Sequence, residues 1–87
     1  MSFGAIIIGS LNLSVCSEGT RFAIRYSKPE AKTLKSVIEL IPKQTEGIEI
    51  IYNSDDYVLI TELVFLLMKE GYFVRLKQII NNKKGKG

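Results

Sequence analysis

Hydrophobic and polar residues alternate in two short runs near the start of the chain. The first run comprises Leu11, Leu13 and Val15, and the second comprises Phe22, Ile24 and Tyr26, with the polar segment SEGT between them. Alternation with a period of two is typical of a strand that has one buried face, and a polar segment containing glycine is typical of a turn. The pattern predicts a β-hairpin within residues 1–26. The earlier run FGAIII fits either a buried strand or one end of a helix.

The hydrophobic period becomes helical after Tyr26. Ser27 lies three residues before Glu30, which is the spacing of a capping box, and Pro29 suits a first helical turn because its missing N–H needs no partner there. The apolar positions on one helical face are Ala31, Leu34, Val37, Ile38 and Ile41. Pro42 cannot continue the hydrogen-bond ladder. A helix is therefore predicted to begin near Ser27 and to end before Pro42.

The second half of the chain predicts a strand, a helix and another strand. IEIIY is β-branched and aromatic, NSDD offers a helix cap, and YVLITELVFLLMKE carries an inward stripe that ends near Gly71. The residues of this stripe are Ile60, Leu63, Val64 and Leu67, with Val58, Phe65 and Leu66 widening it. YFVRLKQII then alternates, with basic residues on its outward face. NNKKGKG has the composition of a turn.

These elements predict an α+β fold. Two helices would pack on a small, mostly antiparallel sheet, with an extra N-terminal β-hairpin. The chain divides into an N-terminal extension, residues 1–26, and an α-β-α-β domain, residues 27–87.

Composition argues against catalysis. The 87 residues include one cysteine and no histidine, so the commonest general base and a Cys/His zinc site are both missing. Cys16 is interpreted as a small packing residue, because a nucleophilic thiol would need a base partner. We predict no enzyme activity, no metal site and no cofactor.

Positive charge is concentrated at the end of the chain. The formal net charge is +3, yet residues 1–68 hold six basic and eight acidic residues, whereas residues 69–87 hold six basic and one acidic. Lys28, Lys32 and Lys35 also form a stripe on the predicted first helix. Such segregation is typical of a surface that binds a polyanion, although a solvated helix face and a charged terminus explain it equally well.

The segment LVFLLMKEGYFVRLKQIINNKKGKG resembles the amino-terminal domain of small-subunit ribosomal protein eight. In that family a helix runs through a Lys-Glu-Gly-Tyr turn into a strand and a basic hairpin. The resemblance covers roughly residues 30–87 and is strongest from Met68 to Phe73, with KTLKSVIELI matching the family's first helix and IEIIY its first strand. The family's carboxy-terminal domain, which holds its Ser-Thr-Ser loop, has no counterpart here, and residues 1–26 have no match in the family.

The resemblance implies a structural, non-catalytic constituent of the small ribosomal subunit. Its expected partners are ribosomal RNA, neighbouring ribosomal proteins and a separate chain that supplies the missing carboxy-terminal half. The expected RNA-backbone contacts are Lys32, Lys35, Ser36, Arg75, Lys77, Lys83, Lys84 and Lys86. A reduced or split protein of this kind, rich in Ile, Lys and Asn, fits a mitochondrial ribosome better than a cytosolic one. We expect no membrane association.

Two alternatives remain open from the sequence. EIIYNSDDYVLI is similar to the part of the ribonuclease H fold where a strand ending in an acidic residue precedes a helix, which makes Asp55 and Asp56 candidate metal ligands. The same carboxylates are explained equally well as partners of a helix dipole. If that fold were present, we would expect a degenerate, inactive form. The other alternative is a small protein-interaction module that uses an open sheet edge and an apolar helix.

Overall fold

A four-stranded, entirely parallel sheet lies at the centre of the computed structural model, which describes residues 2–26, 33–53 and 55–80. The strands are β1 (Phe3–Ile8), β2 (Ala23–Tyr26), β3 (Gly47–Tyr52) and β4 (Phe73–Gln78), and their order in the sheet is β2-β1-β3-β4. The helices are α1 (Leu34–Glu39) and α2 (Tyr57–Lys69), and a short 3-10 helix spans Leu13–Val15.

The prediction of a mostly antiparallel sheet is wrong. Each of the three strand pairs is parallel, with Ile6 opposite both Ile24 and Ile50. The central strands β1 and β3 are buried on both faces, so their sequences FGAIII and GIEIIY are nearly continuous apolar runs. Such runs are typical of parallel sheets whose two faces are both covered.

The predicted N-terminal β-hairpin is also wrong. β1 and β2 run in the same direction, so the chain must cross back between them. Leu13–Val15, which was predicted as part of a strand, forms the 3-10 helix, and the Asn12 side chain caps it by accepting a hydrogen bond of 2.9 Å from the Ser14 N–H. The local competition of an asparagine side chain for backbone amides explains why the alternating pattern does not form a strand here.

The two faces of the sheet are covered by different parts of the chain. Helices α1 and α2 pack on one face, over Ile6, Ile48 and Ile50. The connection from β1 to β2 packs on the opposite face, where Leu11, Val15 and Cys16 cover Ala5, Ile7 and Ile51. The connection that follows β1 runs to β2 on one side of it, whereas the connections through α1 and α2 run across the sheet in the other direction, to β3 and β4. Crossovers between parallel strands are right-handed. Connections that run in opposite directions across the sheet therefore lie on opposite faces.

Helix α1 is shorter than its predicted range. Its N-cap is Thr33, whose Oγ1 accepts a hydrogen bond of 3.1 Å from the Ser36 N–H, and the last helical residue is Glu39. The predicted capping box of Ser27 and Glu30 lies outside the described residues. The predicted apolar face is confirmed at its buried positions, which are Leu34, Val37 and Ile41.

Helix α2 follows its prediction at its cap, its central buried stripe and its end, but Val58 and Phe65, which were predicted to widen that stripe, are exposed. The Asp56 side chain caps its first turn, and Ile60, Leu63 and Leu67 are buried against the sheet. Gly71 has a φ of 97°, and the N–H groups of Gly71 and Tyr72 donate to the carbonyls of Met68 and Leu67 at 3.0 and 3.1 Å. This is the Schellman arrangement that ends a helix and turns the chain directly into β4. In the three described segments, no helix is long and apolar enough to cross a membrane.

Candidate nucleic-acid interface

The predicted basic stripe of α1 is described only at its end. Lys35 and Ser36 are both exposed, whereas Lys28 and Lys32 lie outside the described residues. The Ser36 hydroxyl is 3.0 Å from the Thr33 hydroxyl, and the Ser36 N–H donates to the same side chain. Ser36 therefore serves the helix cap, while the ammonium group of Lys35 reaches solvent.

A groove between the two helices is lined by Lys35 and by Lys69, a basic residue that was not among the predicted RNA contacts. The groove has a volume of about 500 Å³. Its lining residues are Lys35, Ile38, Glu39, Ile41, Leu66, Lys69, Glu70 and Tyr72. The two ammonium groups share the groove with two carboxylates. This mixture of charges offsets much of the attraction that a phosphate would otherwise experience.

Arg75 and Lys77 lie on the other face of the sheet, so the structure does not bring them together with Lys35. Arg75 is paired with Glu49 and Lys77 with Ile51 in the β3–β4 register. Both therefore lie on the face of the sheet that the β1–β2 connection covers. The guanidinium carbon of Arg75 lies 5.7 Å from the centre of the Phe3 ring, within the range of a cation–π contact. Arg75 is exposed and remains accessible to a polyanion.

Lys77 is used inside the protein. Its ammonium group donates a hydrogen bond of 2.6 Å to the carbonyl oxygen of Val15, in a partly buried position. This contact ties β4 to the β1–β2 connection. An RNA phosphate would have to compete with this internal hydrogen bond for the ammonium group of Lys77. The predicted contacts at Lys83, Lys84 and Lys86 lie outside the described residues.

A small cleft of about 180 Å³ next to Arg75 contains a buried carboxylate. Glu49 is only 5% exposed, and its Oε1 accepts a hydrogen bond of 2.8 Å from the Ser17 hydroxyl. Arg75 occupies the neighbouring position on β4. This arrangement links the β1–β2 connection to the sheet by a second polar contact, alongside that of Lys77.

A larger cleft, which was not among the predicted sites, lies at the amino-terminal edge of the sheet. Its volume is about 460 Å³, and it is lined by Ser2, Arg21, Phe22, Pro42, Lys43, Gln44 and Thr45. Arg21 precedes β2 and Lys43 precedes β3. Parallel strands begin at the same edge of a sheet, so a parallel arrangement would have indicated that these two cations lie close together.

The candidate metal ligands act at a helix terminus. Asp56 accepts a hydrogen bond of 3.4 Å from the Leu59 N–H, which confirms the predicted cap of α2, and Asp55 is exposed. In the part of the chain that the structure describes, no group of three or more His, Cys, Asp or Glu side chains could hold a metal ion. The described residues thus provide no centre for two-metal chemistry, which needs converging carboxylates.

Comparison of the chain with protein-family models, curated proteins and solved structures finds no match.

Proposed function

We propose that the chain is a structural constituent of the small subunit of a mitochondrial ribosome and that it binds the backbone of ribosomal RNA. The observation that carries this proposal is the α1-β3-α2-β4 unit, which has the element order that the resemblance requires. The segment that resembles the ribosomal family from Met68 to Phe73 forms the end of α2, the Gly71 reversal and the start of β4.

The accessible cations support contacts to phosphate groups. Lys35 on α1 and Arg75 on β4 are exposed, and neither side chain makes a hydrogen bond to another described residue that a phosphate would have to break. They lie on opposite faces of the sheet, so one straight RNA backbone would not contact both. A structured RNA that folds around the domain is the better ligand, since proteins recognise such RNA mainly by shape and backbone contacts.

The outer edge of β4 supports contacts to a neighbouring protein. β4 pairs with β3 on one side, and within residues 2–26, 33–53 and 55–80 no strand pairs with its other side. An unpaired edge offers a row of N–H and C=O groups to a strand from another chain. A strand from a neighbouring ribosomal protein would be the natural partner for this edge.

Sedimentation of a native lysate tests the proposal. The chain should migrate with the small ribosomal subunit in a sucrose gradient, and ribonuclease or magnesium chelation should release it. A chain that stays at the top of the gradient under all conditions would overturn the ribosomal proposal. Substitution of both Lys35 and Arg75 by Gln should weaken binding to the subunit. It should also reduce the salt dependence of binding, because each phosphate contact releases counterions. The matched variant Glu39→Gln should not weaken binding.

A protein-interaction module without RNA is the second candidate. The observation that favours it is a set of exposed apolar side chains on α2, with Val58 80%, Phe65 65% and Met68 62% exposed. Apolar docking would be nearly independent of salt, whereas RNA binding weakens steeply as salt rises. The salt dependence of whichever complex is isolated therefore separates the two functions.

A further inference from the structure

The cleft at the amino-terminal edge of the sheet has the chemistry of an anion site. Arg21 and Lys43 are both exposed on its walls, and Ser2, Gln44 and Thr45 add polar groups. Among the described residues, no Asp or Glu lines it. This distinguishes it from the groove between the helices, where carboxylates accompany the ammonium groups.

Backbone hydrogen bonds hold the cleft walls in place. The Arg21 N–H donates to the Phe3 carbonyl at 2.9 Å, which extends the pairing of β1 and β2 towards their amino-terminal ends. The Thr45 N–H donates to the Pro42 carbonyl at 3.3 Å and closes the loop that carries Lys43. The Glu46 N–H donates to the Ser2 carbonyl at 2.8 Å. The two cations are therefore mounted on segments that are anchored to the sheet.

A buried hydroxyl in the wall gives a second and independent indication of a ligand. Thr45 is 9% exposed, and its buried Oγ1 has no hydrogen-bond partner among the described residues. Buried polar groups nearly always have a partner, and one without it destabilises the folded state. A rotation of the Thr45 side chain towards the cleft would let an oxygen of a bound ligand accept a hydrogen bond from this hydroxyl and remove that penalty.

From these observations we propose that the cleft binds a phosphate group. Arg21 would donate to two phosphate oxygens at once through its planar guanidinium group, and Lys43 would act as a mobile positive charge. A volume of about 460 Å³ exceeds what one phosphate needs, and Phe22 forms an apolar wall. The group attached to the phosphate can therefore also lie in the cleft.

This inference goes beyond the ribosomal proposal and does not depend on it. Arg21 and Phe22 belong to the N-terminal extension, and none of the lining residues lies in the segment where the resemblance is strongest. The phosphate can come from an RNA backbone or from a free phosphate or phosphomonoester. Both sources present the same tetrahedral anion, so the experiment has to compare them.

An NMR titration of the full chain, followed by amide shifts, tests the site. Inorganic phosphate should shift the amides of residues 20–22 and 43–46, and Arg21→Gln should raise the Kd about tenfold, because it removes a charge-assisted hydrogen bond. Lys43→Gln should also weaken binding, whereas the control Lys69→Gln should leave the Kd unchanged. Equal shifts at all basic residues, or a Kd that neither cleft variant changes, would overturn the proposal.

Thr45→Val provides a readout that a merely structural role would not produce. The substitution removes the unpaired hydroxyl while keeping the side-chain shape, so the free protein should become more stable while phosphate binding weakens. Greater stability with unchanged phosphate affinity would show that the Thr45 hydroxyl does not bind phosphate, and would contradict its part in the proposed site.

A parallel titration with a short single-stranded RNA identifies the source of the phosphate. Tighter binding than inorganic phosphate, lost in Arg21→Gln, would assign the cleft to a nucleic-acid backbone. Phosphate binding without any gain for the oligonucleotide would assign it to a free phosphate or phosphomonoester. Circular dichroism of each variant confirms that the fold is retained.

Discussion

The ammonium group of Lys77 donates a hydrogen bond of 2.6 Å to the carbonyl oxygen of Val15, 62 residues earlier in the chain. The contact joins the last described strand to the connection between the first two. A residue selected from the sequence as an RNA contact thus holds one covering layer onto the sheet.

Replacement of Lys77 by Met should lower the free energy of unfolding by about 1–2 kcal/mol, because it leaves the Val15 carbonyl without its charged donor. Met keeps most of the apolar stem, so packing changes little. Urea denaturation measures the effect, and Lys69→Met, at an exposed position, is the matched control. Equal stability of the two variants would contradict a structural role for Lys77.

Gly71 should tolerate no side chain without a conformational penalty. Its φ of 97° is rarely adopted by other residues, and a Cβ atom there would contact nothing within 4 Å. Gly71→Ala should therefore destabilise the protein by about 1–2 kcal/mol through backbone strain alone. Gly71→Asn should cost less, because asparagine adopts left-handed conformations more readily. Thermal unfolding that ranks Ala above Asn in stability would refute this explanation.

The Phe3 ring packs directly on Gly47, where a Cβ atom would overlap it. Gly47→Ala should therefore destabilise the chain by about 1–3 kcal/mol through overpacking. The same substitution in a Phe3→Ala background should be neutral or stabilising, since the ring is gone and alanine suits a strand better than glycine. A double-mutant cycle in urea measures this coupling. Additive effects would show that the ring does not occupy the glycine position.

Two neighbouring positions on α2 should respond differently to truncation. Leu63 is fully buried, so Leu63→Ala should cost about 2–5 kcal/mol. Phe65 is largely exposed, and Phe65→Ala should change stability by less than about 0.5 kcal/mol. Chemical denaturation of both variants checks the orientation of the helix. A large loss at Phe65 would mean that a further layer covers α2.

The sequence indicated most of the second half of the fold correctly. The inward stripe of α2, its cap at Asp56 and its end at Gly71 depend on interactions between residues close in sequence, so a local pattern is enough to find them. The direction of the strands depends on crossovers between distant segments. The continuous apolar runs of β1 and β3 are typical of a parallel sheet, and the hairpin prediction from the segment SEGT did not take them into account.

The missed cleft follows from the same error. Arg21 and Lys43 are far apart in sequence, and they line the same cleft only because β2 and β3 begin at the same edge of the sheet. An antiparallel interpretation offers no reason to bring these cations together. Lys77 was selected because it alternates outward on β4, and its hydrogen bond to Val15 could not be expected while Leu13–Val15 was assigned to a strand.

The position of β1 between β2 and β3 determines how the protein can fold. Strand β1 is paired on both sides by strands that follow it in the sequence, so the described sheet is not complete until β3 is available. Most contacts in the sheet are therefore distant in sequence, and such topologies fold more slowly than helical domains of the same size. During that interval the apolar segment FGAIII is exposed, and a chaperone or a binding partner that shields it would raise the yield of folded protein.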